Sequence, residues 1–231
     1  MKNIVIATIK EWNINNYFEL KKELENEYSF YLISNKDELS LEKIEKINPK
    51  YIFFPHWSWI IPENIYKNYE CILFHMTDLP YGRGGSPLQN LIINKVYNTK
   101  ISALKVTKGL DEGDIYLKED FDISKGSANE IYINASKLIF KKLIPNILRQ
   151  NPTPVRQEGD VVNFKRRTPE QSNIKMLNDV SIANLYDFIR MLDAPSYPKA
   201  YLELDNLKME LFEVIIKDGK LEGRFEVSKD E

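Results

Sequence analysis

Cysteine is almost missing from this chain of 231 residues: there is one, Cys71, together with only two histidines. A lone thiol excludes an intramolecular disulfide and a thiolate metal cluster, and two histidines without paired spacing make a zinc site improbable, so no metal is expected. Cys71 lies in an apolar run and reads as a buried structural thiol. Net charge is small as well, −2 from 32 basic and 34 acidic residues. No global field draws a nucleic-acid backbone to such a surface, so a nucleic-acid partner is not expected, although a local basic patch is compatible with this balance. No apolar run is long enough to span a membrane, and the opening MKNIVIATI has too short an apolar core for a signal peptide. A cytoplasmic protein that does not engage membranes is the expectation. The first strand is not followed by G-x-G-x-x-G, which argues against nicotinamide dinucleotide chemistry.

What is present is an ordinary globular composition, 43% hydrophobic and 29% charged, arranged as alternating strands and helices. Asn3 to Ile9 reads as a continuous apolar strand of a buried parallel sheet, followed by a polar loop, Lys10 to Asn16, and a helix through Leu24. Strands follow at Tyr28 to Ser34 and Tyr51 to Phe54, separated by a helix from Leu39 to Ile47. Ser127 and Glu130 are spaced as a capping box that opens a long helix, which Pro145 ends or kinks. Two prolines between Asn151 and Pro154 mark a boundary, dividing the chain into residues 1–150 and a small C-terminal region, 151–231, with a capped helix from Ser181 and strands broken by turns at Asp205-Asn206 and Asp218-Gly219. The expected class is α/β, a Rossmann-like core followed by a small mixed α+β region.

One stretch organises the rest. Cys71 to Phe74 is a buried strand, His75 stands at its end, and a loop with Pro80, Gly82, Gly84 and Gly85 leads to a helix opening at Ser86-Pro87. The crevice beyond the carboxyl ends of strands is where open α/β sheets bind ligands. A histidine there is either a hydrogen-bonded structural residue or a catalytic group. A second strand, Lys100 to Thr107, delivers Gly109-Leu110-Asp111-Glu112-Gly113-Asp114, so that a carboxylate and the imidazole would converge as a base and the group that orients it.

His75-Met76-Thr77-Asp78-Leu79-Pro80, Arg83-Gly84 and, about three dozen residues after the histidine, Leu110-Asp111-Glu112-Gly113 together resemble the folate-dependent formyltransferase family. That family includes methionyl-tRNA formyltransferase and the sugar N-formyltransferases. The helix and proline-rich turn from Phe188 to Pro198 resemble the sugar branch, so the likeness spans most of the chain.

The resemblance implies transfer of a formyl group from 10-formyltetrahydrofolate to an amine. In it His75 is the proton acceptor, Asp111 the carboxylate that assists it, and Thr77, Asp78, Leu79, Pro80, Thr107, Lys108, Gly109 and Leu110 the folate contacts. The motif variants are most similar to enzymes acting on nucleotide-linked 4-amino-4,6-dideoxy sugars, a UDP-sugar of the pseudaminic-acid type above others. Methionyl-tRNA formyltransferase is one alternative and a non-catalytic folate or nucleotide-sugar binder another. Trp12, Asn13, His56 and Trp57 gather at two other strand exits, where they would either bind substrate or serve packing and capping. A homodimer through the C-terminal strands is a further expectation. The chain departs from the family at one place: where an asparagine two residues before the histidine would hold the oxyanion, this sequence has Leu73, which cannot donate a hydrogen bond. His56, Gln89 and Asn90 are the candidate substitutes.

Overall fold

The computed structural model describes residues 1–195 and 197–229. β1 (Lys2–Ala7) leads through α1 (Glu11–Leu24) to β2 (Tyr28–Ile33), then through α2 (Leu41–Ile47) to β3 (Tyr51–Phe54) and through α3 (Glu63–Tyr66) to β4 (Cys71–His75). A short β5 (Tyr81–Gly84) and α4 (Pro87–Ile93) precede β6 (Asn98–Lys105) and β7 (Ile115–Asp122). The chain continues with α5 (Ala128–Leu138), a π-helical turn at Ile139–Leu143, α6 (Ile144–Gln150), β8 (Val162–Phe164), α7 (Ile182–Arg190), β9 (Ala200–Leu204), β10 (Leu207–Lys217) and β11 (Lys220–Lys229).

Six strands form one sheet in the order β2-β1-β3-β4-β6-β7. The first four pair in parallel, as continuous apolar runs crossed over by helices should. β6 then joins β4 antiparallel, with His75 opposite Ser102, so the sheet is mixed. Val5, Ile52, Phe54 and Cys71 belong to one buried cluster, and burial followed by the neighbouring Glu70 pushes the Cys71 thiol up to about 12, which makes it inert at neutral pH. β9, β10 and β11 form a separate antiparallel sheet whose tight turns carry left-handed Asp205 and Asp218, at φ 51° and 49°. The architecture is the expected α/β core with an antiparallel C-terminal region.

The chain groups into two compact units. One comprises Met1–Arg83, Lys100–Phe121 and Ile133–Asn163; the other comprises Gly84–Thr99, Asp122–Tyr132 and the chain from Phe164 onward. The first holds the strand ends that carry His75, His56 and Asp111. In the second, Arg190 is buried and bonds Asp187 at 2.8 Å and the carbonyls of Ile123 and Gly126 at 3.0 Å each, which satisfies most of a desolvated guanidinium.

Several local expectations hold. Ser127 and Glu130 form their reciprocal cap, and the Ser181 hydroxyl accepts from the Asn184 amide. Two differ. α1 starts at Glu11, so Trp12, Asn13 and Asn16 are helical rather than in a loop, and no side chain caps the helix at Lys10. Pro145 neither ends nor breaks the helical run, because the π turn just before it gives the ring room and re-routes the carbonyl that Pro145 cannot reach.

Candidate active site

His75 closes β4 and is buried, with its ring held at both nitrogens. Nε2 lies 2.8 Å from the carbonyl oxygen of Gly82. A carbonyl only accepts, so Nε2 carries a proton and donates it. Nδ1 faces Asp111, whose Oδ2 is 3.6 Å away, and both side chains are sealed, 8% and 5% exposed. That distance is an ion-pair spacing rather than a hydrogen bond. The Gly82 carbonyl therefore fixes the ring's orientation, and the carboxylate lies beside its other nitrogen.

Asp111 reaches this position through a left-handed turn of the backbone. Its φ is +55°, in the left-handed region where a residue with a side chain is uncommon. Two residues on, Gly113 passes so close to β6 that a Cβ there would lie 1.7 Å from the Lys105 carbonyl oxygen. Only glycine permits that approach. Gln157 spans the loops from outside. Its Oε1 accepts from Arg83 Nε at 3.1 Å and Nη2 at 2.8 Å, while its Nε2 donates to the carbonyls of Asp111 and Gly113, each at 2.8 Å. Sequence reasoning missed Gln157, which sits in a polar stretch that reads as a boundary, and no residue pattern around it signals the contact.

The expected folate contacts fall into two groups. Thr77, Leu79 and Pro80 are buried, and Asp78 ion-pairs with Lys118 at 2.5 Å, so this segment can offer a ligand little beyond backbone. Thr107, Lys108 and Leu110 are exposed, Leu110 by 69%, immediately before buried Asp111. Within this loop the Thr107 hydroxyl donates to the Gly109 carbonyl at 3.4 Å. Leu73 is half-buried and packs on the apolar clusters on both sides of it. Two of its proposed substitutes are engaged elsewhere: the Gln89 amide donates to Tyr132 and Met191, and that of Asn90 to the carbonyls of Gly85, Ser86 and Lys165. Neither replaces the missing asparagine in this arrangement.

The third, His56, leaves β3 with φ +54°, two residues past Phe54, which pairs with Leu73. Trp12 meets its ring edge-on at 6.1 Å. Burial, helped by Lys10, drives the His56 pKa down to about 4, so the ring is neutral at physiological pH. Asn13 is buried, and its amide donates to the Thr8 hydroxyl at 2.9 Å and the Pro55 carbonyl at 3.2 Å, tying α1 to the exit of β3. Trp57 packs edge-on against Phe54 and Trp59. The indole Nε1 atoms of Trp12 and Trp57 are buried with no hydrogen-bond partner among the described residues. Among those residues, too, no group of three acidic, histidine or cysteine side chains is placed to hold a metal, and no helix is long and apolar enough to cross a membrane.

The fold was compared with solved structures. A methionyl-tRNA formyltransferase from Clostridium thermocellum is 50% identical over the whole of both chains and superposes with a TM-score of 0.95. The chain belongs to the formyltransferase family. Residues 169–228 of this family member also match the model described as methionyl-tRNA formyltransferase, C-terminal domain. A methionyl-tRNA formyltransferase of Campylobacter jejuni subsp. doylei is 26% identical over 200 residues, which is 85% of this chain and 64% of that one, so this chain spans less than two thirds of that relative. A sugar N-formyltransferase from Shewanella superposes at a TM-score of 0.69 with 15% identity, a likeness of fold alone.

These findings overturn two expectations. A nucleotide-linked 4-amino-4,6-dideoxy sugar is not the acceptor to which the strongest similarities point, and the exclusion of a nucleic-acid partner falls with it. The sugar was inferred from the likeness of motif variants to the sugar branch, whereas the error about the nucleic-acid partner has a physical source. A net charge of −2 averages over the whole surface, whereas phosphate contacts are local, and a run such as Lys165-Arg166-Arg167 is invisible in the sum.

Proposed function

We propose that this formyltransferase-family chain moves the formyl group of 10-formyltetrahydrofolate to the free α-amine of methionyl-tRNA. The observation that carries the reading is the 50% identity, over the full length of both chains, to the Clostridium thermocellum protein of that name. The buried His75 and Asp111 pair is the chemistry that the reading needs. Formyl-folate supplies an activated one-carbon group at the oxidation level of formate. The chain's own residues handle the proton: the amine attacks the formyl carbon, the His75 and Asp111 pair takes the amine's proton, and as the tetrahedral intermediate collapses the bond from that carbon to the folate nitrogen breaks and the proton passes to the departing nitrogen. The loop from Thr107 to Leu110 borders the pterin side. The exits of β1 and β3, with Trp12, His56 and Trp57, form the acceptor side, where two unpaired indole N–H groups offer donors. Asn13 has no part in that contact because Thr8 and Pro55 hold its amide.

Leu73 favours a second reading, a folate-binding relative that lacks turnover, since loss of one oxyanion donor costs about 2.7 to 4 kcal/mol. One experiment separates the two. The protein is incubated with charged initiator tRNA and formyl-folate, and the esterified amino acid is analysed by mass spectrometry, with a nucleotide-linked amino sugar as a parallel acceptor. A gain of one carbonyl on methionine, strongest at low salt, is the expected result. Folate binding without any formylmethionine would leave the binding reading, and formylation of the sugar alone would defeat the proposal.

A further inference from the structure

We propose that Gln157 is the positioning residue that sets the spacing between His75 and Asp111. The inference rests on the formyl-transfer reading above for its kinetic consequence and on geometry for everything else. The carboxamide uses its whole bonding capacity: one oxygen accepts twice from the Arg83 fork, and both amide protons go to the carbonyls of Asp111 and Gly113. One end of that bridge reaches a member of the pair, and the other reaches the residue next in the chain to the carbonyl that holds His75. Arg83 directly follows Gly82, whose carbonyl holds His75 Nε2. Asp111 presents its own carbonyl to Gln157 and its carboxylate to His75.

Gln157 is itself anchored. Two residues before it, Val155 exchanges backbone hydrogen bonds with Ile115 at 2.7 and 2.9 Å, next to the loop that Gln157 grips. Arg83 also ion-pairs with Glu112 at 3.7 Å, so the Gln157 bridge is joined by a second, longer contact between the same loops. Asp111 takes a left-handed turn conformation, φ +55°, and the clamp holds the carbonyl of that turn. Without the clamp the loop relaxes and the 3.6 Å spacing is lost. A shift of about 1 Å at a reacting pair costs on the order of 100-fold in rate.

The test is Gln157→Met, which keeps length and apolar bulk and removes all four hydrogen bonds. Formyl transfer to methionyl-tRNA is expected to fall on the order of 100-fold in kcat with KM nearly unchanged. Gln157→Glu, which keeps the acceptor for Arg83 but turns oxygen toward two carbonyls, should fall as far. The second readout needs no turnover. The chain has two histidines, so nitrogen-labelled imidazole spectra resolve each one; the Nε2–H signal of His75 should move in Gln157→Met while the signals of His56 stay in place. Native kcat together with a native His75 signal would overturn the proposal. If Gln157→Met fails to fold, both histidine signals collapse, and Arg83→Lys, which keeps the charge and loses the fork, is judged by the same criteria. A native protein that shows no formyl transfer defeats the functional reading alone, since the His75 signal still decides the positioning role.

Discussion

The two histidines stand at or just past the ends of neighbouring parallel strands, β3 and β4, and that position alone does not distinguish them. Their surroundings make them different reagents. His75 has an acceptor at each ring nitrogen, the Gly82 carbonyl at 2.8 Å and the Asp111 carboxylate at 3.6 Å. His56 lies under Trp12 with Lys10 nearby, and its pKa falls to about 4. One ring is offered acceptors at both nitrogens, and the other is held where burial disfavours a charge. Position at a sheet edge nominates a residue, but the partners at its two nitrogens decide what it can do.

The most severe way to break this contrast is to remove the groups in turn. His75→Ala and Asp111→Ala should each lower formyl transfer by about 100- to 10,000-fold, the usual contribution of a positioned acid or base. His56→Ala should cost less than about tenfold, since a neutral ring at the acceptor side contributes contacts and no proton transfer. Steady-state kinetics on the three variants checks the order. Equal losses at His56 and His75 would erase the distinction.

Next in size is a change that touches neither ring. Gly113→Ala forces a methyl into the Lys105 carbonyl, at 1.7 Å, so the loop carrying Asp111 must move, and kcat should fall on the order of 100-fold. Gly109→Ala is the control. There the added carbon meets the end of the Glu112 side chain, at 2.0 Å from Oε2, and that flexible carboxylate can swing away, so activity should stay within about tenfold of native. If the two alanines behave alike, the close approach at Gly113 is not what positions Asp111.

These expectations also mark what the sequence could and could not disclose. Side-chain signals were legible: the Ser127 and Glu130 box, the Asp205 and Asp218 turns, the apolar parallel strands, and the pairing of His75 with Asp111 in one site. Backbone partners were not. The Gly82 carbonyl that orients His75 belongs to every residue type alike, so no motif names it. Gln157 escaped for a related reason: it joins the site across 74 residues from Arg83 and 46 from Asp111, and local periodicity carries no trace of such a contact. Trp12 and Asn13 were misplaced by local pattern, since α1 starts at Glu11 without a capping side chain to announce it. The acceptor was misjudged from the likeness of short motif variants and of Phe188 to Pro198 to the sugar branch, and the nucleic-acid partner was set aside on a sum of charges, which holds no spatial information.

The smallest expected effect sharpens the contrast from the side of stability. The ordinary imidazole pKa is 6.5, and in the folded chain that of His56 is about 4. Below about pH 6.5 the unfolded chain binds a proton that the folded chain refuses, so the stability this ring confers is complete above that pH. It declines as the pH falls towards about 4 and is level below it. His56→Phe keeps an aromatic ring against Trp12 and removes the titration. Denaturant unfolding at about pH 7.5 and about pH 5 should therefore show a smaller acid-induced loss in His56→Phe than in the native protein. An undiminished loss would mean that the acid sensitivity resides in other groups and that the interior around Trp12 accepts a charged ring, which would remove the physical basis for separating the two histidines.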